Sequence, residues 1–547
     1  MKRRSGGIVT TFVFMAGCAA PNPTTLPDKV RATAVAIDSA RLASDVAYLA
    51  SDDLRGRSTP SPGLDSAASY VVRRLTELAL VPLGDSDTFR QHYAVQSTRR
   101  DTTDTWLEIG GQRFLGGKDF IVTNIGNDVD VTAAMAYVGH GIRAPKKGID
   151  PFGAVTTKDR VLIANGPSLF PKGETSASLG AIGIDWEPTQ MAAQQLGAAA
   201  LVLVNPPRML ALWTRPFWRA FALESNRLVP ELPGAWSRQK FPVVWVKPNV
   251  ASALLASAPQ GADAILAAAA KGDFVSSFDV PSATLPTIHI GHASTTVLRP
   301  YNVVAMIEGR DRTLRNEYVM LGAHLDGAVE SVDTPGDSIF NAADDNASGS
   351  AALLSIAEAM MRGPRPRRSV IFVWDTGEEV GLWGSSYFAA NPPVPLDRIV
   401  THFNVDMIGR SKRPGTSVEG EEDLAGPDEI YVVGPHVLSA SLDSVLQSVS
   451  RDLPGLTLNH AFDKGNHEWF YPRTDAAPFM ERGVLTVDVL NGEHADYHGL
   501  ADESARLDVV RMRRVAQWLF ASAWMLAERR ERPIIDKEMP TRVMRIP

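Results

Sequence analysis

Five short segments carry the side chains best suited to chemistry. In Gly322-Ala323-His324-Leu325-Asp326-Gly327, His324 and Asp326 point to the same side of an extended strand end. A histidine that binds metal needs its second ring nitrogen held by an acceptor, and a carboxylate two residues on can hold it. A satisfied surface pair fits the same residues. Asp344 and Asp345 open a helix, where they can cap its N-terminus or serve as ligands. Glu378 and Glu379 follow the apolar run Ser369 to Trp374. Adjacent carboxylates in a loop can point different ways, one to a metal and its neighbour to a water on that metal. Like charges this close cost free energy unless a cation sits between them; a solvated acidic loop is the plainer reading. Asp406 ends a further apolar run, at a place where a turn would also use aspartate. His494 and His498 follow another such run, in a segment that could equally be a surface loop.

Each segment has an ordinary explanation alone, and together those explanations weaken. The one cysteine of the chain is at position 18, so a thiolate-rich zinc site is excluded. Two histidines with three or more carboxylates suit two divalent zinc ions that share a bridging carboxylate.

The elements around these segments read as strand, loop and helix in alternation. Val303–Ile307, Glu317–Gly322, Ser369–Trp374, Ile399–Met407 and Gly483–Leu490 are predicted strands; 348–361 and 507–531 are predicted helices. This is an α/β pattern, and open α/β sheets bind ligands at their strand ends. Upstream, 37–51 and 66–80 have helical spacing. From 135 to 290, short apolar runs alternate with Gly and Pro, as in a separate β-rich module. Within it, 209–228 carries Trp213, Phe217, Trp218 and Phe221, an exposed lid or, as aromatic stripes usually pack, a buried helix.

The whole chain has 547 residues, 44% of them hydrophobic, and a formal charge of −7. That is room for more than one core. No basic excess points to nucleic acid, and no apolar run approaches the roughly 20 residues of a spanning helix. Lys2-Arg3-Arg4, an apolar stretch and Met15-Ala16-Gly17-Cys18 read as an export signal. The last four residues resemble a bacterial lipoprotein signal with Cys18 as the lipidated residue. The Pro/Thr-rich stretch after it reads as a tether. The expectation is an exported, lipid-anchored protein, periplasmic or outer-membrane in a Gram-negative cell, touching membrane only through that anchor.

The motifs GAHLDG, NAADDNASG, DTGEEVGLWGS, NVDMIGR and HADYH, in this order, resemble those of exported co-catalytic zinc peptidases of clan MH, metallopeptidase family 28. The segment LASDDLRGR resembles the N-terminal part of larger members. The resemblance implies a zinc exopeptidase fold, a mixed central sheet flanked by helices. It also implies an inserted β-rich domain of protease-associated type. The implied division is 1–18 signal, 19–35 tether, 36–134 N-terminal peptidase part, 135–290 insert, 291–530 catalytic domain and 531–547 tail. It further implies two zinc ions: His324 and Asp406 on one, Glu379 and His498 on the other, and Asp344 bridging through a cis peptide to Asp345. Asp326 would orient His324, Glu378 would be the general base toward a bridging water, and Tyr471 would assist the oxyanion. Peptides would be the substrates, with N-terminal residues released. The alternatives are a carboxypeptidase of the same family, a glutaminyl cyclase and a non-catalytic binding protein. After His498 the chain reads Gly499-Leu500-Ala501-Asp502, where the family often has Thr-Pro and then Asp; Asp475 is followed by Ala476, where His is common.

Overall fold

The structure is a computed structural model. It describes residues 23–122, 128–166, 170–180, 182–204, 226–230, 241–271, 273, 275–328, 336–415, 417–463 and 473–537. Cys18 and Tyr471 lie outside the described residues, as does 209–225 of the aromatic segment; Asn226–Pro230 is a strand.

Nine strands form the main sheet: β1 (Val81–Pro82), β2 (Arg90–His92), β3 (Tyr301–Ile307), β4 (Tyr318–His324), β5 (Ser369–Asp375), β6 (Ile399–Val405), β7 (Glu429–Val433), β8 (Thr457–Asn459) and β9 (Thr486–Leu490). Their order is β1-β3-β5-β4-β6-β9-β7-β8, with β2 also on β3. The central strands β5, β4, β6 and β9 run parallel, and β3 and β7 join antiparallel.

Alternation along the strands explains why this sheet has two covered faces. Val370, Phe372 and Trp374 of β5 enter one core, and Ile371 and Val373 enter the other. The first face is covered by α1 (Ser39–Leu49), α2 (Pro62–Glu77), α3 (Gly349–Arg362) and, further along, α6 (Ala440–Asp452) and α7 (Val509–Glu528). The second is covered by α4 (Trp383–Ala390), whose Phe388 packs beside Phe479. The helix expected over 66–80 starts earlier because Ser61 caps Leu64 N–H at 3.1 Å and Pro62 opens the first turn.

The β-rich module is larger than 135–290. Its six-stranded sheet takes Phe120–Val122 onto Val243–Val246, and Trp106–Ile109 pairs with Thr287–Ile290. Val95–Arg100 pairs with Ala293–Leu298. Leu107, Phe114 and Phe120 share one core with Val161, Val202 and Val244. Residues from Leu107 onward therefore pack with the module, not with the N-terminal part ending at 134, whereas Val95 packs with Tyr93 and Trp383. These strands are short, and Trp106–Ile109 and Val95–Arg100 pair far downstream, so local periodicity does not reveal them.

Candidate metal centre

The parallel strands bring their C-terminal ends to one edge. His324 is the last residue of β4, Glu378 and Glu379 follow β5, and Asp406 follows β6. Asp345 lies in the turn before α3, and His498 in the loop after β9. Their side chains converge. His324 Nε2 is 3.1 Å from Asp406 Oδ1 and 3.2 Å from Asp345 Oδ1. His498 Nε2 is 3.0 Å from Asp345 Oδ2 and 3.0 Å from Glu379 Oε2. Asp345 thus spans two imidazole–carboxylate pairs, one oxygen to each.

The expected bridge, Asp344, faces elsewhere. Its carboxylate accepts Gly409 N–H at 2.6 Å and Asn491 Nδ2 at 3.1 Å, and lies 3.3 Å from His494 Nε2. The cis peptide is likewise one residue later, between Asp345 and Asn346. The reason is a set of anchors around the turn. The Asp502 carboxylate accepts the N–H of Asp344 and of Asp345, at 3.0 and 3.2 Å. Asn346 donates to Val405 O and accepts from Met407 N–H, which locks the turn to the end of β6 beside Asp406. Gly349 permits the approach, because a Cβ there would lie 2.5 Å from Val405 O.

Asp326 holds His324 mainly through its main chain. Nδ1 of His324 lies 3.1 Å from the Asp326 carbonyl oxygen and 3.8 Å from its carboxylate, which accepts the Glu378 N–H at 3.3 Å. Sequence reasoning missed Arg57, within the LASDDLRGR segment. Its buried guanidinium donates to the carbonyls of Leu325, Asn341, Ala342 and Leu49, tying the β4 end to the turn that carries Asp345. A fully buried arginine is the signal that could have marked it, but burial is not readable from the sequence.

The electrostatics fit a cation. Burial acts to lower His498, yet its bonds to Asp345 and Glu379 push it up to about 10. Burial likewise opposes the charge on His324, and Asp406 and Asp345 raise it well above its usual range. Burial, followed by the charge of Asp345, pushes Glu379 up to about 7. Glu378 is raised well above the carboxylate range by burial, and the charges of Glu379, Asp475 and Asp406 add to the rise. Carboxylates this buried and this close need positive charge among them. Glu379 Oε1 is buried with no hydrogen-bond partner. Imidazole and carboxylate donors without sulfur suit zinc.

Fold and donor set define an α/β metal-binding domain. Residues 302–523 match peptidase family M28, and this part of the chain is a peptidase family M28 domain. Leupeptin-inactivating enzyme 1 of Streptomyces exfoliatus is 39% identical over 124 residues, 22% of this chain and 25% of that protein. An aminopeptidase of Pseudomonas aeruginosa is 42% identical over 110 residues, 20% of this chain and 18% of its own. The chain thus spans a quarter or less of these relatives' length. An aminopeptidase from Aneurinibacillus sp. strain AM-1 shares the fold with a TM-score of 0.54 at 17% identity, covering 94% of this chain and 100% of that one. The zinc aminopeptidase of Bacillus subtilis shares it with a TM-score of 0.50 at 14% identity, over 92% and 99%.

Proposed function

We propose that the chain is a zinc-dependent aminopeptidase using two ions. The convergence of His324, Asp345, Glu379, Asp406 and His498 at one buried strand edge carries this reading. His324 and Asp406 would hold one ion, Glu379 and His498 the other, and Asp345 would touch both. Zinc so held supplies a Lewis acid that makes water nucleophilic near neutral pH and polarises a carbonyl oxygen.

Glu378 stands next to the ligand Glu379 and is the acid–base group. Its carboxylate takes a proton from the attacking water and returns it to the leaving amine. Asp326 and Arg57 act by position: the first through His324 and the Glu378 main chain, the second through the two loops it ties. The excess of carboxylates also favours a substrate's free α-ammonium group, and hence removal of N-terminal residues. Arg57 is fully buried, already donates to four carbonyls and is not available for a substrate carboxylate.

The N-terminal signal and Cys18 support export with a lipid anchor. The β-rich module is read as protease-associated. No helix among the described residues is long and apolar enough to cross a membrane.

Aminoacyl-p-nitroanilides and their N-acetylated counterparts, with and without chelator, test the reading. Chelator-sensitive cleavage of the free-amine set alone is expected. Cleavage of neither set by zinc-loaded protein would shift the reading to carboxypeptidase, cyclase or binding function.

A further inference from the structure

Two other strands of the main sheet, β7 and β8, end beside a second group of metal-type donors. His436 sits in α5 (Pro435–Leu438), directly after β7; Asp443 is in α6; His460 and Asp463 follow β8. None of them belongs to the cluster at β4, β5 and β6. The rings of His436 and His460 are 4.8 Å apart, inclined by 49°. His460 Nδ1 lies 3.5 Å from Asp463 Oδ2, and its Nε2 lies 3.7 Å from Asp443 Oδ1. His436 Nδ1 lies 3.8 Å from Asp443 Oδ2. One donor atom each from His436, His460 and Asp463 falls within 4.8 Å of the others.

Asp463 is set in place as a ligand would be. Its Oδ1 accepts Gly434 N–H at 2.9 Å and its Oδ2 accepts His436 N–H at 2.5 Å. Each oxygen keeps a lone pair for another partner. The histidine–carboxylate distances of 3.5–3.8 Å are too long for hydrogen bonds. His460 Nδ1 and Asp443 Oδ1 are buried atoms with no hydrogen-bond partner. Gln447 Nε2 sits 3.1 Å from His460 Nε2, and Lys537 donates to the His436 carbonyl. Direct pairing thus leaves this group unsatisfied, and buried unsatisfied polar atoms are costly.

A cation resolves the mismatch. Donors of a tetrahedral zinc, at about 2.0–2.2 Å from it, lie roughly 3.3–3.6 Å from one another. The His460–Asp463 spacing already fits. His436 is 56% exposed, so its ring can turn inward and also leaves a path for the ion. We propose that His436, His460 and Asp463 form an auxiliary zinc-class divalent site. It clamps α5 to the turn after β8. Two imidazoles favour zinc over calcium or magnesium.

Zinc titration of the chelator-stripped full chain tests this, with bound metal counted after dialysis and melting followed with and without zinc. His460→Ala is expected to bind one ion fewer per chain than wild type and to lose part of the zinc-dependent rise in melting temperature. His436→Ala, altered at an exposed side chain, is expected to weaken that same ion at least tenfold while folding normally. Asp345→Ala, altered only in the first cluster, is expected to keep it. Wild-type metal content and melting response in both histidine variants would overturn the proposal.

Discussion

The Asp502 carboxylate accepts the main-chain N–H of Asp345 at 3.2 Å, so an acid from a distant loop fixes the turn that points Asp345 at the two histidines. The same carboxylate takes the Asp344 N–H, while burial and the charge of Asp344 push it up to about 6. Asp502→Asn keeps the shape and loses the anionic acceptor. Zinc affinity is expected to fall ten- to a hundredfold, the usual effect of losing a group that orients a ligand. A competition titration against a chromophoric chelator measures it, and unchanged affinity would count against the anchoring role.

The neighbouring acids should separate cleanly on substitution. Asp345→Ala removes the side chain between His324 and His498 and is expected to lose zinc and activity while remaining folded. Asp344→Ala leaves Gly409 N–H, Asn491 and His494 without their buried acceptor. It is expected to cost about 3–5 kcal/mol of stability. Metal analysis and denaturant unfolding of both variants check this; zinc retention by Asp345→Ala would return the bridging role to another residue.

Gly322 lies in β4, where a Cβ would come within 2.8 Å of His402 Nε2 and 3.4 Å of Asp375 Oδ2. Both neighbours are buried. Gly322→Ala is therefore expected to destabilise the fold by about 1–3 kcal/mol through overpacking. Thermal melting reads it directly, and a wild-type melting temperature would show that the interior yields more easily than its packing indicates.

Burial pushes the Asp488 carboxyl, beside the Asn404 amide at 3.0 Å, up to about 7 from its ordinary 3.8. The folded chain then binds this proton more tightly than the unfolded chain. Its stabilising share is complete below pH 3.8 and is lost as pH rises through about 7. Asp488→Asn should flatten that decline, by at most about 4 kcal/mol between the two limits. Chemical unfolding from pH 4 to 8 checks it; a variant with the wild-type slope would contradict it.

Strands β3, β4, β5, β6 and β9 were legible as largely apolar runs, and His or acid ends or follows β4, β5, β6 and β9. His324, Glu379, Asp406 and His498 meet in space because each ends or follows such a run. The choice between Asp344 and Asp345 was not legible. It depends on the backbone torsions of one turn, and those depend on Asp502 and Asn346, whose partners are non-local. Arg57 was hidden for the same reason: its role lies in four carbonyls from three separate segments. The module's outer strands, from Trp106 to Val122, show no apolar run as strong as Val161–Ala164 and are recognised only by their pairing.

Glu378→Ala is the most direct measurement of the central claim, that this carboxylate transfers the proton in a zinc-dependent hydrolysis. Zinc content and turnover of a free-amine substrate should be measured on the same preparation, beside wild type. The expected result is wild-type zinc per chain with turnover reduced by about a hundred- to ten-thousandfold. Wild-type turnover at normal zinc content would contradict it.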